Sequence, residues 1–218
     1  MGEINLLGEY PKIKRDYDKR MKEKTPDIVR IAKMFGKEFF DGERKYGYGG
    51  YKYDGRWKPV VARMKEHYNL PDNAAILDIG SGKGFMLHDF KELMPNCTIA
   101  GIDVSEYAIE HTMPDVKPYV QVASAEKLPY PDKSFDLVIS INSIHNLPLP
   151  RLKNALREVE RVSRGGSYIT IDAWRNDQEK ENLFKWVLTA ETMMHVDDWK
   201  KLFDEVGYTG DYWWFIAE

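Results

Sequence analysis

The sequence predicts an α/β protein with a doubly wound, mostly parallel sheet and a helical extension at its N-terminus. Three observations predict it. Short apolar runs alternate with helix-period segments from Ala74 onward, the order that builds a parallel sheet from strand–helix–strand units. The run through Leu137, Val138 and Ile139 is apolar without alternation, as in a strand covered on both faces. A glycine turn, Gly80-Ser81-Gly82-Lys83-Gly84, joins the first apolar run directly to the first helical pattern. The 218 residues hold one such domain and a modest extension. We expect residues 1–70 to form the extension and residues 71–218 the sheet domain.

In the extension, Pro11 to Lys24 carries seven Lys or Arg against three acids, and is expected to be a solvated, partly disordered arm. Thr25-Pro26-Asp27 reads as a helix start, a capping hydroxyl followed by proline at the first helical position. That helix runs to about Phe35, with Ile28, Ile31, Ala32 and Phe35 on one face. Arg44 to Trp57 is crowded with Tyr and Gly and has no clear period. A second helix spans Trp57 to Tyr68 and ends before Leu70-Pro71. Strands are then expected at Ala74–Ile79, Thr98–Asp103, Tyr119–Val122, Phe135–Ile141 and Tyr168–Ala173. Helices are expected at Phe85–Leu93, Glu106–His111 and Arg151–Val162, the last with Leu152, Ala155, Leu156 and Val159 as a core face. A helix at Val196–Val206 and a strand near Tyr212–Ile216 close the chain. Trp186, Trp199, Trp213 and Trp214 are read as core or as substrate-wall aromatics, with core favoured.

Composition narrows the function. With 32 basic and 35 acidic residues the net charge is −3, without the global basic excess of a protein that binds a nucleic-acid backbone. Cys97 is the only cysteine, so an internal disulfide is excluded and the thiol is expected as a small hydrophobe. No run is apolar enough for a signal-peptide core or a membrane span, and a cytoplasmic protein is expected. No His, Cys and carboxylate cluster stands at metal-ligand spacing, so no metal is expected.

The strongest signal is Ile76-Leu77-Asp78-Ile79-Gly80-Ser81-Gly82-Lys83-Gly84-Phe85. Glycines between a strand and a helix permit positive φ and close approach of a ligand, at the strand end where open α/β sheets bind ligands. Asp103 ends the second strand in Gly101-Ile102-Asp103-Val104-Ser105. Ala123-Ser124-Ala125-Glu126-Lys127-Leu128-Pro129 follows the third, and Ser140-Ile141-Asn142-Ser143-Ile144-His145 closes the fourth. In this order and spacing, Ala74 to Ala173 resembles the Rossmann-like, class I S-adenosylmethionine-dependent methyltransferases.

That resemblance implies S-adenosyl-L-methionine as cofactor and assigns its contacts. Asp78, Gly80, Ser81, Gly82 and Gly84 would hold the methionine end, Asp103 the ribose hydroxyls, and Val104 the adenine face. Ser124, Ala125 and Glu126 would lie near the adenine, and Asn142 beside the methyl group. Relatives often carry aspartate where this chain has Ser124, which puts a charged adenine contact in doubt. They also finish the sheet with an antiparallel hairpin, for which Asp211 to Ile216 supplies one strand.

The acceptor is expected to be a small molecule methylated on O or N. The Asn/Asp-Pro-Pro-Tyr-type signature of base-amine methylation is absent at Ser140-Ile141-Asn142-Ser143, and no nucleic-acid or membrane partner is favoured. Methylation of nucleic acid or protein, a non-catalytic cofactor-binding role, and aminopropyl transfer stay open as alternatives. His145 is the candidate base, because imidazole titrates near neutrality. Arg44 to Trp57 reads as a lid in which glycines supply mobility and tyrosine rings exclude water. From it, Tyr46 and Tyr48 are candidates at the reacting groups, and Tyr51, Tyr53, Arg56 and Trp57 at the substrate.

Overall fold

The computed structural model describes residues 2–11 and 15–218. Four helices precede the sheet: α1 (Tyr17–Glu23), α2 (Pro26–Ala32), α3 (Lys37–Asp41) and α4 (Lys58–His67). The sheet region runs β1 (Ala75–Ile79), α5 (Phe85–Leu93), β2 (Thr98–Asp103), α6 (Glu106–Glu110), β3 (Val120–Val122), β4 (Phe135–Ile141), α7 (Leu149–Val162) and β5 (Ser163–Trp174). It ends with α8 (Asp177–Trp186), β6 (Met194–His195), α9 (Val196–Val206) and β7 (Asp211–Ile216).

The strands lie in the order β3-β2-β1-β4-β5, with β7 and the two-residue β6 both on the free edge of β5. Every pairing is parallel. The antiparallel finish seen in relatives is therefore not what this chain does. The physical reason is the crossover: α9 carries the chain back along the sheet between β6 and β7, so β7 restarts in the direction of β5. Residues before α1 extend the edge, with Glu3 bridging to Tyr212 in β7.

Both faces of the sheet are covered, as the apolar strands require. Leu77, Ile79 and Val138 pack with Leu152, Ala155, Leu156 and Val159 of α7 and with Trp199 and Phe203 of α9. Ile76, Leu137 and Ile139 point the other way, against Val60, Val61 and Met64 of α4 and Phe85, Leu87 and Phe90 of α5. Trp199 and Trp214 are core, whereas Trp186 is not.

Three features depart from expectation. The basic arm is solvated along much of its described length but is ordered as α1, which Asp16 caps, and Arg20 is buried, donating to the carbonyl of Trp186 at the end of α8. Lys12 and Lys14 fall outside the described residues. β5 begins five residues early, because Gly165 brings its backbone onto Asp136; a Cβ there would lie 2.3 Å from the Asp136 carbonyl oxygen. The helix from Pro26 stops at Ala32, and Phe35 turns with φ of 48°. The turn delivers Phe35, Phe39 and Phe40 to the carboxyl edge of the sheet.

Candidate functional site

The strand order reverses between β1 and β4, and the crevice outside the strand ends at such a reversal is where doubly wound sheets bind ligands. Here it holds a cavity of about 160 Å³ walled by Gly80, Gly82, Asp103, Val104, Ser124, Ala125 and Asn142 from the sheet side. Phe35, Phe39, Phe40, Tyr48 and Tyr51 of the extension close it from above. A second cavity of about 190 Å³ shares the Phe39, Tyr48, Asn142 and Thr189 walls and continues to His145, Asp172, Arg20, Arg44, Trp186 and Phe215. The two are halves of one cleft.

The glycine loop is shaped by its neighbours. At Gly82, φ is 53° and a Cβ would sit 3.3 Å from the Tyr51 ring, so a side chain there meets both backbone strain and the roof. The Gly82 N–H donates to Asp103 Oδ2 at 2.8 Å, and the Ser105 N–H to Oδ1 at 2.8 Å. Burial raises the Asp103 pKa while these amides oppose the rise; each oxygen keeps a further lone pair for a ligand hydroxyl. Asp78, 3% exposed, makes no hydrogen bond or ion pair among the described residues. Burial, and then the charge of Asp103, push its pKa up to about 7.

Lys83 inside the same loop fastens the roof. Its Nζ donates to Asp41 Oδ2 at 2.6 Å and to the Tyr51 carbonyl at 3.1 Å. Tyr107 donates to Asp41 Oδ2 at 2.7 Å, and the Tyr51 N–H to Oδ1 at 3.2 Å. Burial works against the charge on Asp41, but the bonds from Lys83 and Tyr107 prevail and hold its pKa low.

Residues 77–171 match the family described as a methyltransferase domain. This part of the chain is a methyltransferase domain of the class I S-adenosylmethionine-dependent type. It is 34% identical over 146 residues to the tRNA (carboxymethyluridine(34)-5-O)-methyltransferase of Arabidopsis thaliana, covering 66% of this chain and 34% of that one. It is 28% identical over 160 residues to the sterol 4-C-methyltransferase strm-1 of Caenorhabditis elegans, covering 70% and 46%. The chain thus spans between a third and a half of the length of these curated relatives. A SAM-dependent methyltransferase from Archaeoglobus fulgidus shares the fold with a TM-score of 0.52 at 22% identity, over 69% of this chain and 68% of that one.

The residues present fit the methyl donor of this methyltransferase family. Asp103 lies in the cavity wall with acceptor capacity to spare, whereas Asp78, buried at the end of β1, is not among the residues that line the cavity. Among the residues expected at the cofactor, Gly80, Gly82, Asp103, Val104, Ser124, Ala125 and Asn142 meet at the cavity. Ser81 and Gly84 shape the loop behind it. Glu126 does not reach it, because Arg151 and Ser124 hold its carboxylate.

Of the expected lid residues, Tyr48 and Tyr51 line the methyltransferase cleft and four do not. Tyr46 stacks under Lys45 Nζ instead, 4.9 Å from the ring centre. Tyr53 donates to Asp89 at 2.6 Å. Arg56 is chelated by Asp54 and reaches Tyr10 rather than any ligand. Trp57 is core, packed on the Tyr10 ring at 4.7 Å.

His145 does border the cleft, but not as a free base. Its Nδ1 accepts the Asp172 N–H at 3.2 Å, which leaves the proton of the neutral ring on Nε2, 3.6 Å from Asp172 Oδ2. Burial lowers its pKa against the pull of Asp172. The lone pair a base would use is engaged.

Residues not singled out in the sequence complete the cleft: Phe35, Phe39, Phe40, Asn146, Thr189 and Asp172. The Asn146 Oδ1 is buried with no hydrogen-bond partner among the described residues. The only signal for the phenylalanines was their density ahead of the Tyr-Gly stretch. Asp41 carried none.

Proposed function

We propose that this methyltransferase transfers a methyl group from S-adenosylmethionine to an oxygen or nitrogen of a small molecule, beneath a lid formed by residues 44–57. The observation that carries the reading is the divided cleft. Gly82, Asp103 and Val104 border one half, and Asn142 and Tyr48 stand at its junction with a second, aromatic half. Bound in the first half, S-adenosylmethionine supplies an electrophilic methyl group on a sulfonium. The residues of the chain then bind, orient and exclude water, which is the protein's share when the cofactor carries the chemistry. Asp78 would take the cofactor's cationic amine and Asp103 its ribose hydroxyls. Tyr48 and Tyr51 cover the junction, where aromatic faces also favour a cation.

The acceptor half, about 190 Å³ and open on one side, has the size of a small-molecule site. Calorimetric titration with S-adenosylmethionine, followed by a metabolite-pool screen read as S-adenosylhomocysteine release, tests the proposal. Loss of cofactor binding in the folded protein would refute it. A second reading, methylation of a nucleoside in RNA, is favoured by the tRNA-directed relative. Turnover on tRNA with none on small metabolites would select it.

A further inference from the structure

We infer that the acceptor enters the second half of the cleft as a carboxylate, seated against the guanidinium of Arg44 in the positive field of Arg20 and Arg15, and is methylated on that carboxylate's oxygen. The inference rests on the small-molecule reading above and names its substrate class. Three guanidinium carbons surround the Trp186 ring, those of Arg15, Arg20 and Arg44 at 5.5, 5.1 and 5.3 Å from its centre. Several arginines elsewhere, among them Arg56, Arg161, Arg164 and Arg175, are bound by carboxylates. Among the described residues none of the three around Trp186 makes an ion pair, and the carboxylates that act on them, Glu23 on Arg20 and Arg44 and Asp172 on Arg15, do so at longer range. Such crowding of like charge in a half-buried cleft is costly, and both Arg20 and Arg44 have pKa values lowered by burial and then by a neighbouring arginine. A bound anion removes that cost.

The three are not equivalent. Arg20 is 7% exposed, and it ties the backbone together by donating to the carbonyls of Trp186, Arg44 and Lys45. Arg44 spends one Nη1 bond on the Gly47 carbonyl, and its Nε and Nη2 donors make no hydrogen bond among the described residues. A guanidinium edge of that kind matches a carboxylate. Phe39, Trp186, Leu188 and Phe215 suit an apolar or aromatic body, while the rest of the wall is polar: Tyr48, Asn142, His145, Thr189 and the buried Asp172, whose pKa is raised by burial.

The proton inventory agrees. The His145 lone pair is engaged, and the Tyr48 phenol, 48% exposed, keeps its proton at neutral pH as phenols ordinarily do. Asp172, buried in the same wall with its pKa raised, is the group left that could take a proton, and a carboxylate acceptor has none to give. A carboxylic acid is ionised at neutral pH. One carboxylate oxygen forms the new C–O bond as the methyl–sulfur bond breaks, the electron pair stays on sulfur, and no proton is released. The products are a methyl ester and S-adenosylhomocysteine.

The test uses the full chain loaded with S-adenosylhomocysteine and titrated with phenylacetate, benzoate and hexanoate, each against its amide, followed by tryptophan fluorescence. We expect at least one acid to bind, and its amide to bind about 30-fold more weakly, the scale of a lost charged hydrogen bond. Arg44→Gln should weaken the acid by a similar factor while S-adenosylhomocysteine affinity holds, and Arg44→Lys should restore part of it. With labelled S-adenosylmethionine, the product should release methanol in mild base. Equal affinity for acid and amide overturns the proposal, as does a base-stable product. So does a protein that binds S-adenosylhomocysteine but none of the three acids, or displacement of the acid by unfractionated tRNA at lower concentration than by free carboxylates. Failure to bind S-adenosylhomocysteine at all strikes the underlying methyl-transfer reading, and the carboxylate with it.

Discussion

Asp78→Asn should stabilise the protein and cost it its cofactor. Asp78 is buried at the end of β1 with no partner among the described residues, and its pKa is pushed up to about 7. In the unfolded chain the group ionises near 3.9. The native state therefore holds the proton more tightly, so stability declines as pH rises from about 4 and levels off above about 7. About three pKa units at 1.36 kcal/mol each set a ceiling of about 4 kcal/mol for this loss. The isosteric amide has no charge to bury, so Asp78→Asn should raise Tm at pH 8 by several degrees, at roughly 2–4 °C per kcal/mol for a domain of this size. The gain at pH 8 should exceed that at pH 5 by up to about 3 kcal/mol. S-adenosylmethionine affinity, measured by calorimetry, should fall in the variant. In the parent it should weaken by about tenfold per pH unit below 7, because a cationic ligand selects the ionised acid. An equal Tm gain at both pH values, with unchanged affinity, would refute the argument.

Asp103→Ala should lose about 1.5–3 kcal/mol of S-adenosylmethionine affinity by calorimetry, since it removes the hydroxyl acceptor and frees the Gly82 N–H that shapes the loop. His145→Ala should lower turnover less than about tenfold, well short of the loss from removing a general base, yet cost about 1–3 kcal/mol of stability on denaturant unfolding by stranding the Asp172 N–H and carboxylate. A hundredfold loss of turnover would restore His145 as the base. Asp41→Ala should release residues 44–57, read as faster limited proteolysis within that stretch and weaker cofactor binding, with Tm reduced by only a few degrees. Unchanged proteolysis would show that Asp41 is not the fastening.

The sheet domain was legible because its signals are local. The strands at Thr98–Asp103 and Phe135–Ile141 and the helices at Phe85–Leu93 and Val196–Val206 carry their own apolar runs or periods, and their bounds agree with the sequence reading. So does the glycine loop, whose residue types state the backbone conformation they need. The extension was less legible because tertiary contacts decide it. Arg20 in a basic stretch gives no sign that it will be buried against Trp186, a residue 166 positions away. Nor do four tyrosines among glycines tell which ones face a ligand. Tyr48 and Tyr51 line the cavity, while Tyr53 is drawn off by Asp89. His145 borders the cleft, but its hydrogen bonding turns on a backbone N–H from β5 that no spacing reveals.

The fastening of the roof to the glycine loop has a mechanical consequence under the lid reading. Lys83 belongs to the loop, and it binds both Asp41 and the Tyr51 carbonyl of the roof. Tyr51 in turn rests where a Gly82 side chain would be. The cofactor half encloses about 160 Å³, below the ~300 Å³ at which pockets for such ligands begin. On that reading a cofactor enters as the Tyr48 ring withdraws, on a segment fastened at Tyr51 by Asp41 and Lys83 and anchored by Trp57 in the core. Arg44 lies on that same segment. Movement that admits the cofactor thus also moves the guanidinium proposed to seat the acceptor, so the two halves of the cleft should fill in a fixed relation. Cofactor binding should raise acceptor affinity, and by thermodynamic reciprocity the acceptor should raise cofactor affinity by the same factor.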